Sequence, residues 1–324
     1  MNLNKKRVLV TGGTGMIGTE VVDQLIQKGA LVKVASIEED SGLSPDIEYE
    51  RIDLRDFESC KRICNNIDVV FNMAGVKGSP VMAKERPASF FVPMLQFDTN
   101  MMEAARLSDV EWFLFTSSVG VYGNFESPED DLWDLPPSKN DWYAGWAKRM
   151  GELQAETYKI QYNWDRISIV RPANVFGKKD NFDKETSMVI PALISRIEEG
   201  ESPLNVWGNG SAVRDFIYAK DVAKICCFLV ENEITQPVNA GTGQGISIKQ
   251  LVETIVKYTI NKPEIVWDAT KPTGDPKRIL NVDRLRSLVG FNDFTPLDTA
   301  LKEVIEWYSE NKYIINNRYN SFKE

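Results

Sequence analysis

The sequence has no histidine, few cysteines and no apolar run long enough to span a bilayer. Without histidine, catalysis by an imidazole acid or base is excluded, and a zinc site is disfavoured because histidine is a usual zinc ligand. Any proton transfer must therefore use Tyr, Lys, Ser, Cys, Asp or Glu. The cysteines form no C-x-x-C pair, and we interpret them as free thiols in a reducing compartment. They are Cys60, Cys64, Cys226 and Cys227.

The chain also has no excess of positive charge. The 324 residues carry a net charge of -9 and no basic tail, which argues against a nucleic-acid partner. Residues 1–7 are polar and lead directly into a predicted strand. We therefore expect no signal peptide, no membrane association and a cytoplasmic location.

What the chain does contain is a regular alternation of strands and helices. The patterns predict strands at residues 6–10, 31–35, 50–54, 68–73, 112–117 and 166–171, and helices at 16–28, 57–65, 88–108 and 143–162. This alternation indicates an α/β fold built on a Rossmann-type, doubly wound parallel sheet.

Residues 125–141 interrupt the alternation, and we predict a loop over a cleft there. The segment is acidic and has no helical or strand periodicity. Acidic runs usually form solvated surface, so a substitute catalytic base among them is the less favoured interpretation. The acidic residues are Glu126, Glu129, Asp130, Asp131 and Asp134.

A glycine-rich segment, Thr11 to Gly18, joins the first predicted strand to the first predicted helix. Dinucleotide sites need glycine for the tight turn, for close approach of the backbone to the pyrophosphate, and for packing of helix on strand. The position between strand and helix is the context that makes this motif specific. We therefore predict a nicotinamide dinucleotide site. The expected contacts are Gly12, Gly15, Met16, Ile17 and Gly18.

The choice between NAD and NADP depends on the end of the second strand. NAD enzymes usually carry an acidic residue there for the ribose 2′-hydroxyl. Here Ser36 would tolerate a 2′-phosphate, no arginine is adjacent in the sequence, and Glu38 could reach the ribose instead. The sequence leaves both cofactors open.

Further motifs follow in a fixed order. They are Asp53-Leu54, Asn72 to Gly75, Ser117-Ser118 with Val121 to Gly123, Lys148 on a helix, Arg171 to Gly177, Arg214 to Tyr218, Asp221-Val222 and Asn239 to Gly243. In this order they resemble the extended short-chain dehydrogenase/reductase family, over almost the whole chain. The resemblance implies an NAD(P)-dependent enzyme and a homodimer packed through residues 88–108 and 143–162. It also implies cofactor contacts at Asp53, Leu54, Ala74 and Lys148.

Within the family, the chain is most similar to the GDP-L-fucose synthase branch. That similarity implies a nucleotide-diphosphate-sugar site, to which Trp207 would offer a stacking face and the arginines would offer bidentate bonds to phosphate. The alternative is that these residues have no functional role: each arginine would then be an ordinary surface residue, and the tryptophan would serve only in packing. The implied site residues are Ser118, Asn174, Val189, Arg196, Trp207, Arg214 and Arg278.

The chain departs from the family at the catalytic positions. The resemblance implies Ser118, Tyr143 and Lys148 as the catalytic set, but the family spacing is Y-x-x-x-K, and Ala144 occupies the position four before Lys148. Tyr143 would need a bulge or a frayed turn to face the site; otherwise the site lacks its usual tyrosine.

Two other departures concern the type of reaction. The fucose synthase branch has a cysteine two residues after the serine and a histidine in a later loop, where this chain has Gly120 and Met188. The dehydratase pattern places Asp-Glu after the serine, where this chain has Val119-Gly120. Both observations disfavour those reactions and leave simple chemistry at one sugar carbon.

Three hypotheses remain for the function. The first is a nucleotide-sugar epimerase that works through a transient keto-sugar at C4 of a nucleotide-diphosphate hexose, with GDP as one candidate nucleotide. The second is a 4-keto-sugar reductase or dehydrogenase, and the third is a non-catalytic dinucleotide sensor. We expect a Rossmann domain at residues 1–177 and about 212–243. A smaller α/β substrate domain is expected at about 178–211 and 244–324.

Overall fold

The computed structural model describes residues 1–39, 42–271, 274–315, 319 and 322. Within them the nine α-helices are α1 Met16–Gln27, α2 Phe57–Cys64, α3 Pro80–Glu85, α4 Pro87–Leu107, α5 Trp142–Tyr162, α6 Val189–Glu198, α7 Ala219–Glu231, α8 Ile248–Tyr258 and α9 Leu297–Ile315. Short 3-10 helices cover Val119–Val121 and Glu129–Asp134, and a π-helical turn covers Leu285–Val289.

The described strands form one large sheet and three small ones. They are β1 Arg7–Thr11, β2 Leu31–Ser36, β3 Glu48–Arg51, β4 Val69–Asn72, β5 Trp112–Thr116, β6 Ile167–Pro172, β7 Asn174–Phe176, β8 Leu204–Trp207, β9 Val213–Arg214, β10 Phe216–Tyr218, β11 Val238–Ala240, β12 Ile246–Ser247, β13 Ile265–Asp268 and β14 Lys277–Arg278. The large sheet has the order β11-β6-β5-β4-β1-β2-β3, and all its neighbours are parallel. The order reverses at β1, which confirms the doubly wound α/β fold.

Both faces of the sheet are covered by helices, because its strands alternate between two hydrophobic cores. Val8 and Val10 of β1 pack into the core shared with α1 and α7, whereas Leu9 packs into the core shared with α2 and α4. Buried strands with apolar residues on both faces are typical of parallel sheets. A third core lies outside the sheet and is formed by residues of α6, α8 and α9 with neighbouring strands. This core falls largely in the predicted substrate domain, whose boundaries stay a prediction.

One predicted strand is displaced. We predicted residues 50–54, but β3 is Glu48–Arg51, and its pairing with β2 runs from Lys33 opposite Glu48 to Ser36 opposite Arg51. Asp53 and Leu54 therefore follow the strand and lie at its carboxyl edge. The reason is that the register is set by pairing with β2, which a local hydrophobic pattern does not contain.

The predicted loop at 125–141 contains a 3-10 helix, Glu129–Asp134, and part of it is buried. Glu129 is only 3% exposed, and its carboxylate accepts a hydrogen bond from the Asn239 N–H. The expectation of a wholly solvated acidic run was therefore wrong at this residue. Among the described residues, no helix is both long and apolar enough to cross a membrane.

Candidate active site

The glycine loop between β1 and α1 has a shape that only glycine permits. Gly12 has a φ of +61°, and a Cβ placed on it would lie 2.9 Å from the Ala74 Cα. A Cβ on Gly18 would lie 2.1 Å from the Gly12 carbonyl oxygen, so the helix meets the loop in direct backbone contact. Gly15 is the N-cap of α1 and has no side chain to cap it. The first N–H groups of the helix thus remain available for an anion, and the cradle fits a dinucleotide pyrophosphate.

The carboxyl ends of β2 and β3 form the next part of the cleft. The Ser36 and Thr14 hydroxyls lie 2.8 Å apart, and Asp53 accepts hydrogen bonds from Arg55. The pairing of β2 with β3 places Arg51 opposite Ser36, and Arg55 lines the same cleft. Sequence reasoning named neither arginine, because strand pairing is what brings Arg51 beside Ser36, and Arg55 follows in the next loop, where it bonds Asp53.

Lys148 lies deep in the cleft and is paired with a buried carboxylate. Its ammonium group donates to Asp98 at 2.8 Å, and the two side chains are 7% and 2% exposed. Asn72 also donates to Asp98 at 3.0 Å, and the Thr11 hydroxyl donates to the Asn72 amide oxygen at 2.6 Å. Burial raises the pKa of Asp98, while the attraction of Lys148 and the two hydrogen bonds oppose that shift. The network links the predicted catalytic lysine to the strand that carries the glycine loop.

Sequence reasoning missed Asp98, although the sequence did contain a signal. This aspartate lies on α4 among buried apolar residues such as Met94 and Met101. A charged residue on the apolar face of a helix is almost never fully buried unless it is paired. That rule could have indicated an ion pair, but not which cation forms it.

Ser118 lies just after β5, next to a network of buried charged residues. Its hydroxyl accepts a hydrogen bond from the Gly120 N–H at 3.0 Å. The neighbouring Ser117 hydroxyl donates to Glu152 at 2.5 Å, and Glu152 receives two bonds from Arg171 at 3.0 and 2.6 Å. A bidentate, buried pair of this kind holds its neighbours in one arrangement. It fixes the strand end that presents Ser118 to the cleft.

Tyr143 is the one predicted site residue that the structure does not bring to the cleft. Helix α5 begins with a regular turn, because the Gly145 N–H donates to the Asp141 carbonyl at 2.7 Å. The bulge that could have rotated Tyr143 inward does not occur there. Its side chain is 45% exposed and is absent from the cleft lining, which includes Ala144 instead.

The residues predicted for the nucleotide sugar lie around the other half of the same cleft. The Asn174 amide donates to the Asp215 carbonyl at 2.9 Å, and Arg196 is ion-paired with Glu201. The Trp207 ring is 52% exposed, with the Lys271 ammonium 5.6 Å from its centroid. An exposed indole beside a cleft can stack on a base or a sugar.

One cleft of about 1970 Å³ therefore joins the two predicted halves of the site. Among the described residues, its lining contains every predicted site residue except Tyr143. These are Gly12, Gly15, Met16, Ile17, Gly18, Ser36, Asp53, Leu54, Ala74, Ser118, Lys148, Asn174, Val189, Arg196, Trp207, Arg214 and Arg278. Their roles as cofactor, substrate or catalytic residues stay predictions.

Comparison with known proteins identifies the family. The model of the NAD dependent epimerase/dehydratase family matches residues 8–241. The chain belongs to this family. It is 32% identical to the GDP-L-fucose synthase of Escherichia coli K12, over 96% of this chain and 98% of that protein. It is 29% identical to a dTDP-4-dehydro-6-deoxy-D-allose reductase of Streptomyces, over 95% and 97% of the two chains.

A solved structure shows the same architecture. The UDP-glucose 4-epimerase of Thermotoga maritima, determined with UDP-glucose, superposes with a TM-score of 0.82 at 26% identity. The match covers 94% of this chain and 99% of that one. The family membership and the Rossmann-type fold expected from the sequence are confirmed. The chain is an NAD(P)-dependent enzyme of the extended short-chain dehydrogenase/reductase type.

Proposed function

We propose that this enzyme is an NAD(P)-dependent nucleotide-sugar epimerase that oxidises and re-reduces one carbon, C4, of a nucleotide-diphosphate hexose. The observation that carries the proposal is the single cleft. Lys148 and Ser118 line it beside the glycine loop, and Arg196, Trp207 and Arg214 line its other half. A nucleotide sugar bound along those residues would extend its hexose toward Ser118.

The proposal assigns the residues of the cleft to three roles: cofactor binding, catalysis and substrate binding. The glycine loop and Lys148 would hold the dinucleotide, whose nicotinamide supplies reversible hydride transfer when bound. Asp98 holds the Lys148 ammonium in place. The Ser118 hydroxyl would hydrogen-bond the oxygen at the reacting carbon. The arginines would bind the diphosphate, since a guanidinium matches two phosphate oxygens at once.

The reduction of a 4-keto-sugar is the second candidate. It is favoured by the similarity to the Streptomyces reductase, which extends over 95% of this chain. The two candidates differ in their net electron balance. An epimerase returns the hydride to the same sugar, whereas a reductase consumes one reduced cofactor for each sugar converted.

The test uses the purified protein with UDP-glucose, GDP-mannose and dTDP-glucose, each with NAD⁺ and with NADP⁺. Formation of an isomer, detected by chromatography and NMR, without net reduced nicotinamide supports the epimerase. Net oxidation or reduction supports the second candidate. Lys148→Met should abolish turnover, whereas Lys159→Met, on an exposed position of the same helix, should not. Turnover that Lys148→Met leaves intact contradicts the proposal.

The proposal includes a homodimer formed through α4 and α5. Both helices carry exposed apolar side chains, including Leu107 at 51% and Ile160 at 77%. Such residues are typical of association surfaces when they form a patch. Light scattering should give a dimer for the wild type and a monomer for Ile160→Glu. A monomeric wild type contradicts this part of the proposal.

The proposal also places the enzyme in the cytoplasm. All four cysteines are free and buried, as expected of a chain in a reducing compartment. Fractionation of the source cells, with an antibody against the chain, should find it with the cytoplasmic markers. Recovery with secreted or membrane fractions contradicts this location.

A further inference from the structure

One face of helix α5 lines the cleft. It carries a carboxylate about one turn before the position where the family has its tyrosine. Asp141, Ala144 and Lys148 are spaced by three and four residues, so they share a helix face. All three line the cleft, and Tyr143 does not. Ala144, which has only a methyl group, lies between the other two along the helix. Asp141 is therefore the acid/base-capable group of this face that lies closest along the helix to the position of the family tyrosine.

Asp141 and Ser118 border the same small space. A Cβ placed on Gly120 would lie 3.4 Å from the Asp141 Cγ and 3.4 Å from the Ser118 hydroxyl oxygen. Gly120 stands where the fucose synthase branch has its cysteine. The Asp141 side chain therefore packs closely on Gly120, and the Ser118 hydroxyl lies beside the same glycine. Both Asp141 and Ser118 line the cleft.

The Asp141 carboxylate does not serve the helix that it begins. An aspartate at an N-cap usually accepts a hydrogen bond from an N–H of the first turn. Asp141 is the N-cap of α5 and makes no such bond. Its carboxylate instead contacts the Arg278 guanidinium inside the cleft. The side chain is directed toward the site rather than toward its own helix.

Arg278 links Asp141 to the substrate half of the site. The arginine side chain is 10% exposed, its Nη1 is 4.0 Å from Asp275, and its buried Nε has no hydrogen-bond partner in the described structure. The Arg214 guanidinium is close enough to interact electrostatically with Arg278, Asp275 and Asp141. A diphosphate would compete with Asp141 for these guanidinium groups.

We propose that Asp141 is the acid/base of the reaction and takes the place of the absent tyrosine. In the oxidation step the sugar O–H bond breaks, and the proton passes to the Asp141 carboxylate, directly or through the Ser118 hydroxyl. The C–H bond breaks in the same step, and a bound oxidised nicotinamide would take its electron pair as hydride. In the reduction step the Asp141 carboxyl returns the proton to the oxygen of the keto group, and the hydride would return to the opposite face of the same carbon, which inverts C4. Diphosphate binding draws Arg278 away from the carboxylate and prepares it for this role.

The test rests on the proposed function and uses the same three nucleotide sugars. Asp141→Asn keeps the shape of the side chain but accepts no proton, so kcat should fall by about 10²- to 10⁴-fold. Asp134→Asn, at an exposed position of the same segment, is the matched control and should stay within about twofold. Formate should restore part of the activity of Asp141→Ala. Whichever of NADH and NADPH binds the wild type should bind that variant with the same affinity. The pH dependence of kcat should lose one ionisation in Asp141→Asn.

Three results would overturn the inference. Full kcat in Asp141→Asn excludes the carboxylate as the acid/base. A rise in KM at unchanged kcat shows that Asp141 only positions Arg278. A large loss in Tyr143→Phe together with an active Asp141→Asn returns the role to the tyrosine. If the wild type itself converts none of the sugars, the proposed function fails, and the role of Asp141 falls with it.

Discussion

The ion pair between Asp98 and Lys148 gives a prediction that depends on tertiary structure alone. Asp98→Asn keeps the shape of the side chain and removes its charge. The amide oxygen can still accept from Lys148, but the amide nitrogen then faces the Asn72 nitrogen, which is also a donor. Turning the Asn72 amide would remove that clash but would give up the hydrogen bond that the Asn72 oxygen accepts from the Thr11 hydroxyl. The substitution therefore leaves one cation without its counter-ion and costs at least one hydrogen bond of the network.

The size of the expected loss in folding stability follows from the burial of both Asp98 and Lys148. The Lys148 side chain is 7% exposed and that of Asp98 is 2% exposed, so water cannot replace the lost charge. Removing one partner of a buried pair costs about 3–5 kcal/mol of stability. At about 2 °C per kcal/mol for a chain of this size, the melting temperature should fall by roughly 6–10 °C. We also expect weaker binding of the reduced cofactor, NADH or NADPH, because Lys148 loses the group that holds its ammonium in the cleft.

The assay compares Asp98→Asn with Glu103→Gln by thermal unfolding, with and without NADH or NADPH. Glu103 is an acid on the same helix; it pairs with Arg106 and accepts a hydrogen bond from the Tyr158 hydroxyl, but its side chain is 29% exposed. Because water reaches this pair and can replace part of the lost charge, Glu103→Gln should lose less stability than Asp98→Asn. A loss below about 1 kcal/mol in Asp98→Asn, or equal losses in the two variants, would refute the reasoning that burial makes this pair decisive.

The remaining predictions concern stability, the glycine loop and the thiols. Glu152→Gln should cost about 3–5 kcal/mol in urea unfolding because it leaves a buried arginine unpaired, whereas Glu156→Gln, exposed one turn later, should stay within about 0.5 kcal/mol. Gly18→Ala should abolish the binding of NADH and NADPH in a fluorescence titration because the new Cβ would meet a backbone carbonyl at 2.1 Å, whereas Lys159→Met, at an exposed position of α5, should bind as the wild type does. The four cysteines should resist a thiol reagent in the native protein and react in denaturant, because burial raises the pKa of three of them to about 12 and that of the fourth well above its usual value. Fast labelling of the native protein would contradict that expectation.

The cleft could be predicted from the sequence to the extent that its residues belong to local motifs. Ser36, Ser118 and Lys148 each occupy a fixed place relative to a strand or a helix, and the structure brings all three to one cleft. Asp98 and Asp141 were not predicted. Asp98 lies within an apolar helix, and Asp141 ends the segment that we predicted as a loop over a cleft without naming it as a site residue. Their roles come from which elements are neighbours, and single-sequence periodicity does not report neighbours.

Tyr143 is a second case in which the sequence could not determine a tertiary arrangement. The sequence determined that Ala144 stands four residues before Lys148 and left open whether a bulge would rotate Tyr143 inward. The first turn of α5 is regular, so Tyr143 faces away from the cleft. A local irregularity of a helix depends on tertiary packing, and so the sequence could state the alternatives but not choose between them.

By itself, the sequence determined the dinucleotide loop, the alternating α/β order and the family. These depend on residues adjacent in the chain, such as Gly12 and Gly18, whose required backbone geometry is local. The tertiary structure alone decided that Lys148 meets a carboxylate 50 residues away and that Asp141 meets Arg278 at a separation of 137 residues. Those contacts bury or direct charge. They arise only once the sheet has set the distances between its helices and strand ends.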